Sequence, residues 1–427
     1  NAEIGWKSMI YLTATGRNDW DSRLAFSDYK SFFYPSVGLS AILTSMFNAP
    51  DWLTYLKVRG SYTEVGNSYG RFMTTVTYPY DEQTQNWTST SSYPNTKLKP
   101  ERTKSWEVGL DARILNDISL NLTYYRSNTY NQTFYADLSL SSGYSNIPIQ
   151  SGNIMNEGIE MALGYNKQWK DFSFNTNYTL TWNKNRVKRL ADGVYNYATG
   201  QSIQMPELSP LTYGHTDARL ILRVGGSMGD VYGQRLLKRD LNGYILNEEG
   251  VGLTMENKET YLGSILPKMN MGWSLGFGYK GVNLGMTFTG RFGGIVISET
   301  QSVLDAAGVS KVSADVRDAG GVQINQGKVS AQTYYQAIQG TAAYYTYSAT
   351  NVRLGELSLS YTLPKKWFDN KVGMTVGLVG KNLWMIYCKA PFDPELTTSA
   401  ASNFYQGFDA YMLPSTRNFG FNIKFQF

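Results

Sequence analysis

The chain ends on a strict alternation, in which Phe419, Phe421, Ile423, Phe425 and Phe427 are apolar and Gly420, Asn422, Lys424 and Gln426 are not. Successive side chains of a β-strand point to opposite faces, so such a segment is a strand with one greasy and one wet side. The same period recurs upstream. Within 171–185, Phe172, Phe174, Tyr178, Leu180 and Trp182 oppose Ser173, Asn175, Asn177, Thr179 and Thr181. Within 270–279, Met271, Trp273, Leu275, Phe277 and Tyr279 oppose Gly272, Ser274, Gly276 and Gly278. Within 117–134, Ile118, Leu120, Leu122 and Tyr124 oppose Ser119, Asn121, Thr123 and Tyr125.

About fourteen strands are predicted in this way: 5–17, 30–43, 53–66, 104–115, 117–134, 154–165, 171–185, 218–224, 230–236, 270–279, 282–291, 351–363, 371–383 and 416–427. Without an apolar run long enough for a membrane helix, this pattern predicts an all-β protein, a transmembrane antiparallel β-barrel of the outer membrane. The apolar sets face lipid and the polar sets face the lumen, because the reverse would strand polar groups in hydrocarbon. Connections alternate in length. Asn116–Asp117, Asn166–Lys170, Gly225–Gly229, Lys280–Gly281 and Pro364–Asn370 are short, whereas 67–103, 135–153, 186–217, 237–269, 292–350 and 384–415 are long. Short periplasmic turns and long extracellular loops set the orientation.

Composition fits this reading. Aromatic residues are 14% of the chain, with 32 Tyr and 10 Trp, against 17% charged residues and 41 Gly, a mix suited to interfacial girdles and hairpins. Mean hydropathy is only −0.34, because alternation cancels in an average. The formal net charge of +5 is too mild for a nucleic-acid partner. Cys388 and His215 are single, which leaves no intrachain disulfide, no Cys/His metal cluster and no Ser/His/Asp triad, so neither an enzyme nor a cofactor is expected.

Aromatic rings interrupt the polar long loops: Trp87 and Tyr93; Tyr334, Tyr335, Tyr344, Tyr345 and Tyr347; and Phe404, Tyr405 and Tyr411. Such rings can stack on sugars or clasp peptide side chains, or they can pack the loops on one another. Trp87, Tyr93, Tyr344, Tyr345, Tyr347, Phe404, Tyr405 and Tyr411 are the candidate ligand-facing residues, and Asn121, Thr123, Asn175, Asn177, Thr287 and Arg291 are the candidate lumen lining. Asp240-Leu241-Asn242-Gly243 reads as a turn rather than a calcium loop, since the EF-hand spacing is not met. Gly225 to Gly229 reads as a periplasmic turn rather than a phosphate cradle, since no Lys-Ser/Thr follows.

Several blocks then carry a family resemblance. Leu98-Lys99-Pro100-Glu101-Arg102-Thr103, followed by Trp106-Glu107-Val108-Gly109-Leu110-Asp111 and Tyr124-Tyr125, resembles the SusC/RagA-type TonB-dependent transporters of Bacteroidota. Gly152-Asn153 with Asn156-Glu157-Gly158-Ile159-Glu160, Gly229 to Gly233, Pro267-Lys268, Val352-Arg353-Leu354, Leu359 to Pro364, Gly380 to Leu383, Asp393-Pro394-Glu395 and the segment from Pro414 to Phe427 are similar to further parts of that family. Their glycines and prolines are expected to shape turns, and the motifs describe a barrel wall with no catalytic constellation.

The resemblance implies a 22-strand barrel with a plug and a TonB box, of which residues 1–427 would be the C-terminal portion, since the plug and N-terminal domains are not recognisable. The chain starts at Asn1 without a signal-like segment, as a processed or partial chain would. The implied function is TonB-driven import of a bulky nutrient, an oligosaccharide before an oligopeptide. The implied partners are a SusD-like surface lipoprotein, TonB, outer-membrane lipids and a second transporter–lipoprotein pair. Two rivals are a self-contained fourteen-strand passive pore, in which 5–17 would pair with 416–427, and a non-transporting adhesin or docking barrel.

Overall fold

The computed structural model describes the chain except for residues 151, 191–193, 197–199, 204–206, 250–251, 370, 397 and 400–402. The chain forms two compact units, one of Asn1–Lys167, Asn177–Pro210 and Leu222–Met228, the other of Gln168–Thr176, Leu211–Ile221 and Gly229–Phe427. Asn370, at the end of the last predicted short turn, lies outside the described residues.

In the first unit the strands Ala2–Trp6 (β1), Ile10–Trp20 (β2), Ser31–Ile42 (β3), Leu53–Asn67 (β4), Glu101–Ile114 (β5), Ile118–Tyr130 (β6), Asn153–Trp169 (β7) and the later part of Phe172–Arg189 (β8) follow one another as neighbours. In the second, the start of β8 is followed by Met269–Tyr279 (β9), Val282–Phe292 (β10), Asn351–Leu363 (β11), Gly373–Cys388 (β12) and Asn418–Gln426 (β13). The ladders within each unit are antiparallel and join strands consecutive in the chain's wall, which is an up-and-down meander. Lys280 (φ 46°) and Gly281 (φ 88°) close a two-residue hairpin, β9 to β10. Positive φ at both positions suits the twist of a two-residue turn.

Register separates two faces. Across β4, β5, β6 and β7, Lys57, Asp111, Asn121 and Ala162 form one row, and Arg59, Gly109, Thr123 and Glu160 the next. Between them, on the other side, run Val58, Leu110, Leu122 and Met161. That second face carries exposed Val37, Leu39, Val108 and Leu163, and in the second unit Leu378 and Phe421 are likewise exposed. Such exposure is costly in water and correct against hydrocarbon. On β5 the apolar run from Trp106 to Ile114 covers roughly 27 Å of strand, or about 20 Å of membrane after the usual barrel tilt. At its upper edge Trp106 and Tyr124 rings lie 5.3 Å apart. Beyond them the same face turns ionic, with Arg102 and Lys104 each 3.3 Å from Glu64. The strands therefore rise past the lipid.

Three expectations are corrected. The predicted strand 5–17 is a hairpin, β1 and β2, because Lys7 and Ser8 turn at positive φ. The segments 218–224 and 230–236 are strands, Arg219–Arg223 and Asp230–Leu237, but they belong to a sheet inside the long β8–β9 connection that continues to Met255–Ser264. Leu220, Ile221 and Leu222 are all buried, the pattern of a strand covered on both faces rather than half in lipid. Among the described residues the sheet of the wall thus has thirteen strands, and Gly225–Gly229 belongs to a loop rather than to a periplasmic turn.

The long connections also fold. Helices Glu299–Ala306, Lys311–Asp318 and Ala331–Ile338 start at Ser298, Ser310 and Ser330, whose hydroxyls accept from the N–H groups of Gln301, Ser313 and Thr333. Leu237, Ile245, Ile324, Tyr335, Ile338 and Tyr345 form one apolar cluster there, and Tyr213, Leu220, Val231, Ile265, Ile297 and Phe408 another.

Placing a guanidinium on the lipid face should be costly. Val108→Arg is expected to lower stability by about 2–4 kcal/mol in urea titrations of the liposome-refolded protein, against less than about 1 kcal/mol for Glu107→Gln on the opposite face. Equal effects would reverse the assignment of faces.

Candidate functional site

The polar face of β4 to β8 is a connected hydrogen-bond surface. The Arg59 guanidinium crosses β5, donating from Nη2 to Thr123 Oγ1 at 2.6 Å while its Nη1 lies 3.4 Å from Asp111 Oδ2. Asn121 Nδ2 donates to the other Asp111 oxygen. The crossing is open because position 109 is glycine: a Cβ there would sit 2.5 Å from Arg59 Nε. A second crossing lies nearer the loops. Tyr125 donates to Asn183 Oδ1 at 2.9 Å, and Asn156 Oδ1 accepts from Asn185 at 2.9 Å. Here Gly158 is the open position, with the Tyr125 hydroxyl 2.6 Å from where its Cβ would be. Gly109 and Gly158 are therefore mid-strand close approaches, not the turn formers that their motifs suggested.

Two clefts indent this face. One, of about 310 Å³, is lined by Tyr55, Lys57, Asp111, Arg113, Asn121 and Asn177 among others. The other, of about 190 Å³, includes Tyr11, Thr13, Ser40, Lys57, Arg59 and Glu107. Hydroxyls, amides and charges of both signs make these walls suited to a hydrogen-bonding solute of low net charge.

In the second unit, Thr287 lies 3.4 Å from Ser274 on the equivalent face, and Asn175 rests over Gly276. Arg291 turns toward the loops, donating from Nη2 to the Ile265 carbonyl at 2.9 Å. Beside it, Arg353 makes a two-pronged pair with Asp393 at 3.0 and 2.8 Å and reaches Glu395 at 3.4 Å. The Val352-Arg353-Leu354 and Asp393-Pro394-Glu395 motifs are thus one ionic staple, fixing the last connection to the wall. Burial works to raise the Asp393 carboxyl, but the Arg353 guanidinium and the Glu395 N–H outweigh it and hold it below its ordinary value.

The loop aromatics divide by environment. Trp87 (71% exposed) and Tyr411 (60% exposed) present their rings to the surface. Tyr345 is 2% exposed and belongs to a loop core, so in this structure it is not available to a ligand. The Tyr344 hydroxyl accepts from Leu237 N at 3.1 Å. Tyr347 packs edge-on against Phe392, and burial pushes its phenol up to about 12. Tyr93 packs on Tyr144. Phe404 and Tyr405 pack on the core around Tyr213. Loops of this length need apolar residues to fold, and most of these rings serve that end.

Arg59, Tyr125, Asn156 and Asn183 are absent from the sequence-derived lining. In β4, Lys57, Arg59, Ser61 and Thr63 alternate with Leu56, Val58 and Tyr62, so the face of Arg59 is legible in the sequence, whereas its crossing to Thr123 follows only from the register of three strands.

A family model described as TonB dependent receptor-like, beta-barrel, matches residues 1–383. The chain belongs to this family, and it is an outer-membrane β-barrel chain. TonB-dependent receptor P3 of Formosa agariphila is 25% identical over 460 residues, covering 98% of this chain and 44% of that protein. TonB-dependent receptor SusC of Bacteroides thetaiotaomicron is 28% identical over 154 residues, 35% of this chain and 14% of that protein. The fold is similar to that of the RagAB peptide importer in its open-open state, with a TM-score of 0.73 at 20% identity, covering 99% of this chain and 45% of that one. The chain spans less than half the length of P3 and of the RagAB chain it matches.

Gly109→Ala should push Arg59 off Thr123 and cost about 1–3 kcal/mol in thermal or urea unfolding. Arg59→Ala in the same chain should recover most of that loss. Additive losses in the double variant would mean that the side chain does not cross there.

The Asp393 value is depressed on folding, so the staple contributes fully at neutral pH and is lost as pH falls through the folded-state value. Cleavage of the connection 389–417 by an acid-active protease should rise below the ordinary 3.8. Asp393→Asn should be cleaved readily at every pH, and an acid response unchanged in that variant would clear the staple of the effect.

Proposed function

We propose that the chain forms the C-terminal part of the barrel of a TonB-dependent importer that brings a bulky, polar nutrient through the outer membrane. The family match across residues 1–383 carries this reading. The chain's own contribution is the wall: an apolar face against lipid, a hydrogen-bonded polar face along the path, and folded loops above. Asn121, Thr123, Asn175, Asn177 and Thr287, together with Arg59 and Tyr125, line that path, and Trp87 and Tyr411 are the loop rings placed to meet ligand. A SusD-like lipoprotein over the loops captures the solute, and TonB acts through a plug to open the lumen. If the complete wall has 22 strands, as large plugged transporters do, nine further strands complete it, one more than the alternation implied.

An oligosaccharide is the first substrate class, since a face of hydroxyls, amides and paired charges matches a neutral polyol. An oligopeptide is the second, favoured by the likeness of fold to a peptide importer. The rival passive pore requires β1 to pair with β13; among the described residues the β1 ladder runs to β2 and the β13 ladder to β12. In-frame deletion is expected to abolish growth on one defined class of oligosaccharide or peptide as sole nutrient. Blocking TonB should have the same effect. Equal growth of the deletion strain on all of them would reject import, and TonB-independent uptake would favour the pore.

A further inference from the structure

On the outward face of β10 to β13 lies a groove of about 440 Å³ whose walls include Val282, Leu359, Tyr361, Val376, Leu378, Phe421 and Ile423. The register makes it two rows deep, Leu359, Leu378 and Phe421 above, Val282, Tyr361, Val376 and Ile423 below. The short turn after β11 follows Tyr361 at roughly 10 Å along the strand. That turn is the 3-10 segment Lys365–Phe368, in which Lys365, Lys366 and Trp367 are exposed. Among the described residues neither lysine has a carboxylate within ion-pair distance, although Asp369 follows in the same turn. Lys280, in the neighbouring hairpin, already pairs with Asp171 at 3.8 Å. Lysines at a membrane surface attract anionic headgroups, and tryptophan favours the headgroup level.

We propose that groove and turn together form a binding site for one anionic phospholipid of the periplasmic leaflet. One acyl chain lies in the groove and the phosphate lies between Lys365 and Lys366. The site is open at the surface, so the lipid exchanges without any movement of the wall. It rests on the outer-membrane placement of the wall and is independent of what the lumen carries.

The test is native mass spectrometry of the full-length protein, released from nanodiscs containing equal phosphatidylglycerol and phosphatidylcholine of identical chains. One phosphatidylglycerol should be retained in preference, each lysine contributing roughly a fivefold preference. Lys365→Gln with Lys366→Gln should erase the headgroup preference while leaving lipid bound. Val376→Trp, which fills the groove, should lose both lipids. Because that variant changes the wall, its heat-modifiable migration is compared with wild type, and the lysine pair stands as the test that leaves the wall intact. Equal retention of the two lipids by the wild-type protein, unchanged preference in the lysine variant, or a copurifying protein in place of lipid would overturn the site.

Discussion

A backbone amide in hydrocarbon has no water to bond, so every strand of the wall must find its partners in neighbouring strands. That requirement explains why the ladders are long, antiparallel and consecutive, and why hairpins are tight on one side. Once the ladders exist, the pleat leaves each residue a choice of two environments. A residue that faces lipid must be apolar between the aromatic edge at Trp106 and the turns, and the opposite face is free to be polar. The ionic pairs of Glu64 with Arg102 and Lys104 mark where this restriction ends.

The polar face turns that freedom into a surface. Some of its charges are tied across strands, as Arg59 is to Asp111 and Thr123. The ties need the backbone of the strand between to be bare, which is why glycine occupies positions 109 and 158. A face built in this way presents hydroxyls, amides and charges of both signs.

Above the wall, the connections solve a different problem. Chain segments of this length cannot hold a fixed shape in water by hydrogen bonds alone, so they bury tyrosines, phenylalanines and aliphatic residues in cores of their own. Three serine-capped helices complete them. The Arg353–Asp393 pair ties the last connection to the strand end, and its geometry is two-pronged, which fixes orientation as well as distance.

The alternation of side chains determined most of the wall: twelve predicted segments mark the thirteen strands of the described residues, one of them taking in both β1 and β2, because lipid on one side and water on the other leave a period of two that a sequence cannot hide. It could not separate β1 from β2, since the turn at Lys7 and Ser8 uses no glycine, asparagine or proline. Nor could it distinguish a strand of the wall from Arg219–Arg223 and Asp230–Leu237, whose second face is covered by protein rather than lipid. The motifs around Gly109, Gly158, Arg353 and Asp393 were visible as motifs, but their purpose was not. Only the tertiary structure decided that, because crossings and staples join residues distant in sequence, and a period along one strand carries no information about its neighbour.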